Sequence, residues 1–189
     1  MKTLNKVVTV MAKIAEIVFW IGCGLVFAGL ICSLFFGKSI MGLANEFIAE
    51  NPTVSLQGLE IDLKVVGPYI MTALRILCFS GVITMALHAM IFRNINLIFR
   101  TAEGKTKFAK GASPFQPDIV RMVREIGIFC IAVPVVEFIT SIVARIFIPE
   151  EFCEMSVSFT GILMGLVVLC LSQYFAYGAQ LQKDVEGLV

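Results

Sequence analysis

Four runs of apolar residues, at about 17–36, 68–92, 126–148 and 161–177, alternate along the chain with polar segments. The first run contains no charged residue. At about 1.5 Å of rise per residue, a helix of that length covers the roughly 30 Å hydrocarbon core of a bilayer. Each run therefore predicts a membrane-spanning helix. Pro68 suits the first turn of the second helix, where its missing N–H costs little. That helix is expected to continue past Arg93 to Arg100 and to stop at Gly104. Pro134 falls inside the third run, where neighbouring groups must satisfy the freed carbonyl and the helix is expected to bend. The predicted fold class is an all-α membrane protein, a four-transmembrane-helix bundle in one domain, 1–189.

The polar segments carry patterns of their own. In 37–67, Val54, Leu56, Leu59, Ile61, Leu63 and Val65 alternate with Ser55, Gln57, Glu60, Asp62 and Lys64, with the phase breaking at Gln57-Gly58. Period two reads as a β-hairpin. In 149–160, Cys153, Met155, Val157 and Phe159 alternate with Glu154, Ser156, Ser158 and Thr160. A lone hairpin is marginal in water, so a small extracytoplasmic sheet is expected, two strands from the first segment and one from the other, resting on the helix ends. Irregular loop is the alternative. Residues 39–50 read as a short amphipathic helix.

Composition agrees with a lipid environment. The chain is 58% hydrophobic and 15% charged, against roughly 25% charged in soluble domains. Five of the six cysteines, all but Cys153, lie inside apolar runs, and none forms a CxxC pair. They read as small buried hydrophobes rather than metal or redox groups, and no cofactor is expected. The net charge of +1 matters less than its distribution. Residues 93–125 hold Arg93, Arg100, Lys105, Lys107, Lys110, Arg121 and Arg124. The segment 37–67 has only Lys38 and Lys64, and 149–160 has no cation but Glu150, Glu151 and Glu154. Positive residues in short loops stay cytoplasmic, so both termini and 93–125 are expected on the inner side. The first run reads as an uncleaved anchor. A signal peptide has an apolar region of about 7–15 residues ending in small side chains, and this run is longer and ends in Phe35-Phe36.

Polar residues inside the runs are the functional candidates, because a charge at mid-membrane costs about 2.5–3.5 kcal/mol on insertion scales. They are Arg75, His88, Glu137 and Arg145. Arg145 is close enough to the outer end to snorkel. His88 reads as a hydrogen-bonded packing residue. Arg75 and Glu137 are a candidate intramembrane polar pair. They read as an ion pair locking two helices, with a neutral, protonated Glu137 as a variant, or as part of a polar pathway. Gly161 and Gly165 match the small-xxx-small pattern of close helix approach, and Ser172 and Ala176 extend the same face. Packing within the bundle is the preferred reading of that face, and a homodimer surface is the alternative. A homo-oligomer is not otherwise indicated.

The basic segment lacks a recognition helix, zinc-ligand spacing or interleaved aromatics, so no nucleic acid is expected. Topology and attraction to anionic lipid headgroups explain its charge. Ser113 or Gln116 can cap the helix that follows, Pro117 suits its first turn, and Asp118 complements its positive end. Ile119, Met122, Val123 and Ile126 then form an apolar face. Together with Glu103-Gly104, Ser113-Pro114-Phe115, the run 121–127 and the terminal 177–189, this pattern resembles the bacterial family called domain of unknown function 2975, over the whole chain in span order. The resemblance implies a four-span protein of the bacterial inner (plasma) membrane, with members often encoded beside a small helix-turn-helix regulator. It implies no catalytic residues.

The expected function is a regulatory or protein-interaction component of that membrane, with a membrane or cytoplasmic protein partner. The alternative is a small transporter or channel subunit using Arg75 and Glu137. An enzyme is not expected, since one His, scattered carboxylates and buried thiols do not converge on one face.

Overall fold

A computed structural model of the chain describes residues 2–37, 42, 53–56, 59–62, 69–106, 115–148, 153–155 and 159–186. Four long helices dominate it: α1 (Lys2–Phe35), α2 (Ile70–Ala102), α3 (Pro117–Phe147) and α4 (Phe159–Glu186). All four are long and apolar enough to cross a membrane. The protein is a multi-pass integral membrane protein of the all-α four-helix class. Every helix outruns its apolar run at the end carrying Lys or Arg, and those residues are good helix formers. Pro68 and most of 39–50 lie outside the described residues; α2 is described from Ile70.

What is buried and what is exposed reverse the pattern of a water-soluble protein. Leu25, Phe79 and Leu163 are each more than 60% exposed. The side chains most completely enclosed include Ser33, Ser80, Thr101, Ser141 and Ser172. Lipid tails are as apolar as Leu, so nothing drives large hydrophobes inward; helices associate through small residues and hydroxyl hydrogen bonds instead. Ala12, Ala73, Ala89 and Ala144 are buried on the same logic.

The helix ends facing residues 93–125 are built as their residues dictate. At the end of α2, Gly104 adopts φ +75°. Its N–H donates to the Thr101 carbonyl at 3.0 Å, and the Lys105 N–H donates to the Arg100 carbonyl at 2.9 Å. This is the two-bond Schellman stop, which needs a left-handed residue and so favours Gly. At the start of α3, the Gln116 carbonyl accepts from the Val120 N–H at 3.1 Å, ahead of Pro117 and Asp118. Ser113 lies outside the described residues. Ile119, Met122, Val123 and Ile126 are all buried. α3 stays helical through Pro134.

The chain divides into two compact units. One comprises Met1–Trp20, Leu87–Ala132 and Thr160–Val189. In it α3 and α4 approach through glycine. A methyl group at Gly165 would fall 2.5 Å from Ile131 Cγ1 and 2.8 Å from the Gly127 carbonyl oxygen. Gly178 likewise lies against the Phe115 ring, which meets Phe175 at 5.9 Å between centroids.

The other unit comprises Ile21–Ala86 and Val133–Phe159. It holds a three-stranded antiparallel sheet in the order β1 (Thr53–Leu56), β2 (Leu59–Asp62), β3 (Cys153–Met155). Pairing of Leu56 with Leu59 leaves two residues, 57 and 58, between the first two strands. The register sets Val54, Ile61 and Cys153 in one cross-strand row and Leu56, Leu59 and Met155 in another. Each row gathers apolar positions from segments about ninety residues apart, as cross-strand pairing of a one-sided apolar pattern requires.

Candidate functional site

In the first unit, α2 carries two buried amides, Asn94 and Asn96. Asn94 Nδ2 donates to Glu125 Oε2 on α3 at 3.0 Å, and Asn96 Nδ2 donates to the Thr9 carbonyl on α1 at 2.9 Å. One turn of α2 thus grips the helices on both sides. Glu125 is also 3.4 Å from Arg121. Phe19 of α1 stacks on both His88 and Phe92 of α2, with centroids 5.1 and 5.5 Å away. His88 therefore has an aromatic neighbour as well as its place on α2. Lys13 and Glu16 pair at 3.0 Å on α1.

Beside the amides, the first turns of α1 and the last turn of α2 enclose a groove of about 700 Å³. Its walls include Asn5, Lys6 and Thr9 from α1, and Arg100, Glu103 and Lys105 from α2 and its stop. Among the described residues, three cations against one carboxylate leave the lining at +2. Lys105 bonds Glu103 at 2.6 Å across exposed side chains, an arrangement worth at most about 1 kcal/mol and readily exchanged for another anion.

In the second unit, Arg75 Nη2 donates to the Ser33 carbonyl on α1 at 3.1 Å, while Arg75 Nε is buried with no hydrogen-bond partner. Farther along α2, Ser80 and Thr140 of α3 are 2.8 Å apart. Thr140 is also 2.8 Å from the Val136 carbonyl. Thr140 Oγ1 is the donor, and its single proton serves the Ser80 hydroxyl or the Val136 carbonyl, one at a time. Arg75, Ser80 and Thr140 line a crevice of about 490 Å³ whose remaining walls are apolar.

Glu137 is half-buried on α3, and its backbone carbonyl accepts from Ser141 Oγ at 2.9 Å. It does not line the Arg75 crevice. The described ion pairs, Lys13–Glu16, Lys105–Glu103 and Arg121–Glu125, do not join it to Arg75. Arg145 is exposed near the end of α3. Of the small-residue face, Gly165 meets Gly127 and Ile131 of α3, and Ser172 is fully buried with its hydroxyl on the Leu169 carbonyl at 2.6 Å. Gly161 and Ala176 are half-buried. Cys23, Cys32, Cys78, Cys130 and Cys170 are free thiols. Among the described residues no group of three or more His, Cys, Asp or Glu is placed to hold a metal ion.

Asn94, Asn96 and Gly127 were not singled out by sequence reasoning. The amides had a usable signal, since two polar side chains one turn from the apolar stretch of α2 are as costly to bury as any hydroxyl there. Gly127 had none, because its role depends on which helix lies opposite. Comparison of the chain with family models, curated proteins and solved structures finds no match.

Proposed function

We propose that the protein is a regulatory or protein-interaction component of the bacterial inner membrane, with both termini and residues 93–125 in the cytoplasm. The groove at Lys6, Arg100 and Lys105 is its contact surface. The observation that carries this reading is how the polar side chains are used. Four of those within the helices bond across to neighbouring helices: Asn94 to Glu125, Asn96 to Thr9, Arg75 to Ser33 and Ser80 with Thr140. A translocation path needs polar groups turned to a shared lumen or paired broken helices. The charges at the groove are accessible instead, and their excess of +2 suits an acidic segment of a partner, since such complementarity steers association and fixes register. Membership of the domain of unknown function 2975 family, whose members often neighbour a regulator gene, belongs to the same proposal.

The test is site-specific photocrosslinking in intact cells. A crosslinker at Lys105 is expected to trap a discrete protein, and the adduct is expected to fade when Lys6 and Arg100 become Glu. A crosslinker at lipid-facing Leu163 serves as control. No adduct at Lys105, or one indifferent to charge reversal, overturns the reading. Labelling of Lys107 from outside intact cells overturns the orientation. Ion or proton flux in proteoliposomes that falls in Glu137→Gln would establish the transport alternative instead.

A further inference from the structure

We propose that the crevice at Arg75 is a binding site for one anionic phospholipid, its phosphate on the guanidinium and an acyl chain along the apolar walls. The site has the polarity profile of that molecule. Arg75 lies five residues after Ile70, the first residue of α2, about 7.5 Å along the axis. That places a fixed positive charge near one membrane face, at the depth where a headgroup phosphate meets the acyl chains. The walls beside it include Leu34, Phe79 and Ile139, each more than half exposed, so the crevice opens sideways toward lipid. Ser80 and Thr140 are occupied with each other and with the Val136 carbonyl, leaving the deeper part apolar in effect. Its volume lies within the roughly 300–1,000 Å³ of small-molecule sites.

The guanidinium supplies the reason for an anion. It has five N–H donors. Among the described residues it makes one bond, to the Ser33 carbonyl, and Nε is buried without a partner. A carbonyl carries no net charge, so the cation is left uncompensated at this contact. Arg binds phosphate in a two-pronged geometry through adjacent N–H groups, and the guanidinium has N–H groups beyond the one given to Ser33. A zwitterionic lipid brings its own cation and gains less. This inference does not rest on the proposed function and holds for either orientation of the chain.

The experiment is native mass spectrometry of the full-length protein released from micelles containing equal phosphatidylglycerol and phosphatidylcholine. Wild type is expected to retain one phosphatidylglycerol in preference to phosphatidylcholine by on the order of tenfold, equivalent to about 1.4 kcal/mol. Arg75→Gln is expected to abolish the preference, and Arg75→Lys to keep part of it. Because Arg75→Gln also removes a helix–helix bond, Ile139→Trp provides a second variant: it keeps the charge, fills the exposed crevice, and should lose the bound lipid. Equal retention of the two lipids by wild type overturns the proposal. So does a preference that survives both Arg75→Gln and Ile139→Trp. Displacement of the lipid by inorganic phosphate at equal concentration overturns it as well, by showing a free-anion site.

Discussion

Replacing Gly165 with Leu should separate α3 from α4. The first added atom already falls 2.5 Å from Ile131 Cγ1, 2.8 Å from the Gly127 carbonyl oxygen and 3.1 Å from the Ile131 backbone nitrogen. The last two neighbours are helical backbone, which cannot turn aside as a side chain can, so the helices themselves must move. Overpacking of a tight interior costs about 1–3 kcal/mol, occasionally more, and a backbone obstacle belongs at the upper end. Gly to Leu in a helix also gains up to about 1 kcal/mol of intrinsic propensity, which would mask part of the loss. Gly29→Leu on α1 removes that ambiguity. Gly29 is helical and exposed, and a side-chain atom there meets nothing within 4 Å. The two variants share the propensity change and differ in packing. Unfolding in mixed micelles of increasing dodecyl sulfate content, followed by circular dichroism, should therefore place Gly165→Leu about 3 kcal/mol below Gly29→Leu, a factor of roughly 10² in the unfolding equilibrium. A gap no larger than about 0.5 kcal/mol, the scatter of independent sites, would refute the close α3–α4 contact.

Asn94→Ala strips Glu125 of its amide donor, and a hydrogen bond to a charged group is worth about 1.5–3 kcal/mol; the same micelle titration should show a loss near the lower figure, because Arg121 still faces the carboxylate. Gly104→Ala forces a Cβ into the left-handed region at a cost of about 1 kcal/mol, so amide hydrogen exchange should accelerate at 100–105 while the rest of α2 keeps its protection.

The parts of the fold legible in the sequence are those that a single segment decides alone. An apolar run long enough to span hydrocarbon must form a helix, since no other open conformation satisfies its backbone there. That argument places all four helices without reference to any neighbour. The stop at Gly104 and the start at Gln116-Pro117 are equally local. So is the period-two alternation that coincides with β1 and β2, although β3 had to be joined to them by reasoning about sheet size. The legible part ends where a residue's role is set by its opposite number. Arg75 was noticed for its charge, but the group it contacts is the Ser33 backbone carbonyl, and a carbonyl leaves no mark on sequence. Gly165 was noticed for its spacing, whereas Gly127 became visible only across the contact. Asn94 and Asn96 lie within three residues of Arg93, so they read as the polar fringe of a helix end until each is seen to reach another helix.

The enclosed hydroxyls and outward hydrocarbon have a calorimetric consequence. In water, unfolding wets apolar surface, and that wetting makes the heat capacity of unfolding large and the stability curve sharply domed. Leu25, Phe79 and Leu163 already touch a greasy medium in the native protein, and a chain that loosens within a micelle keeps them there. Melting should absorb heat mainly through broken contacts, leaving stability a shallow function of temperature, with cold posing little threat.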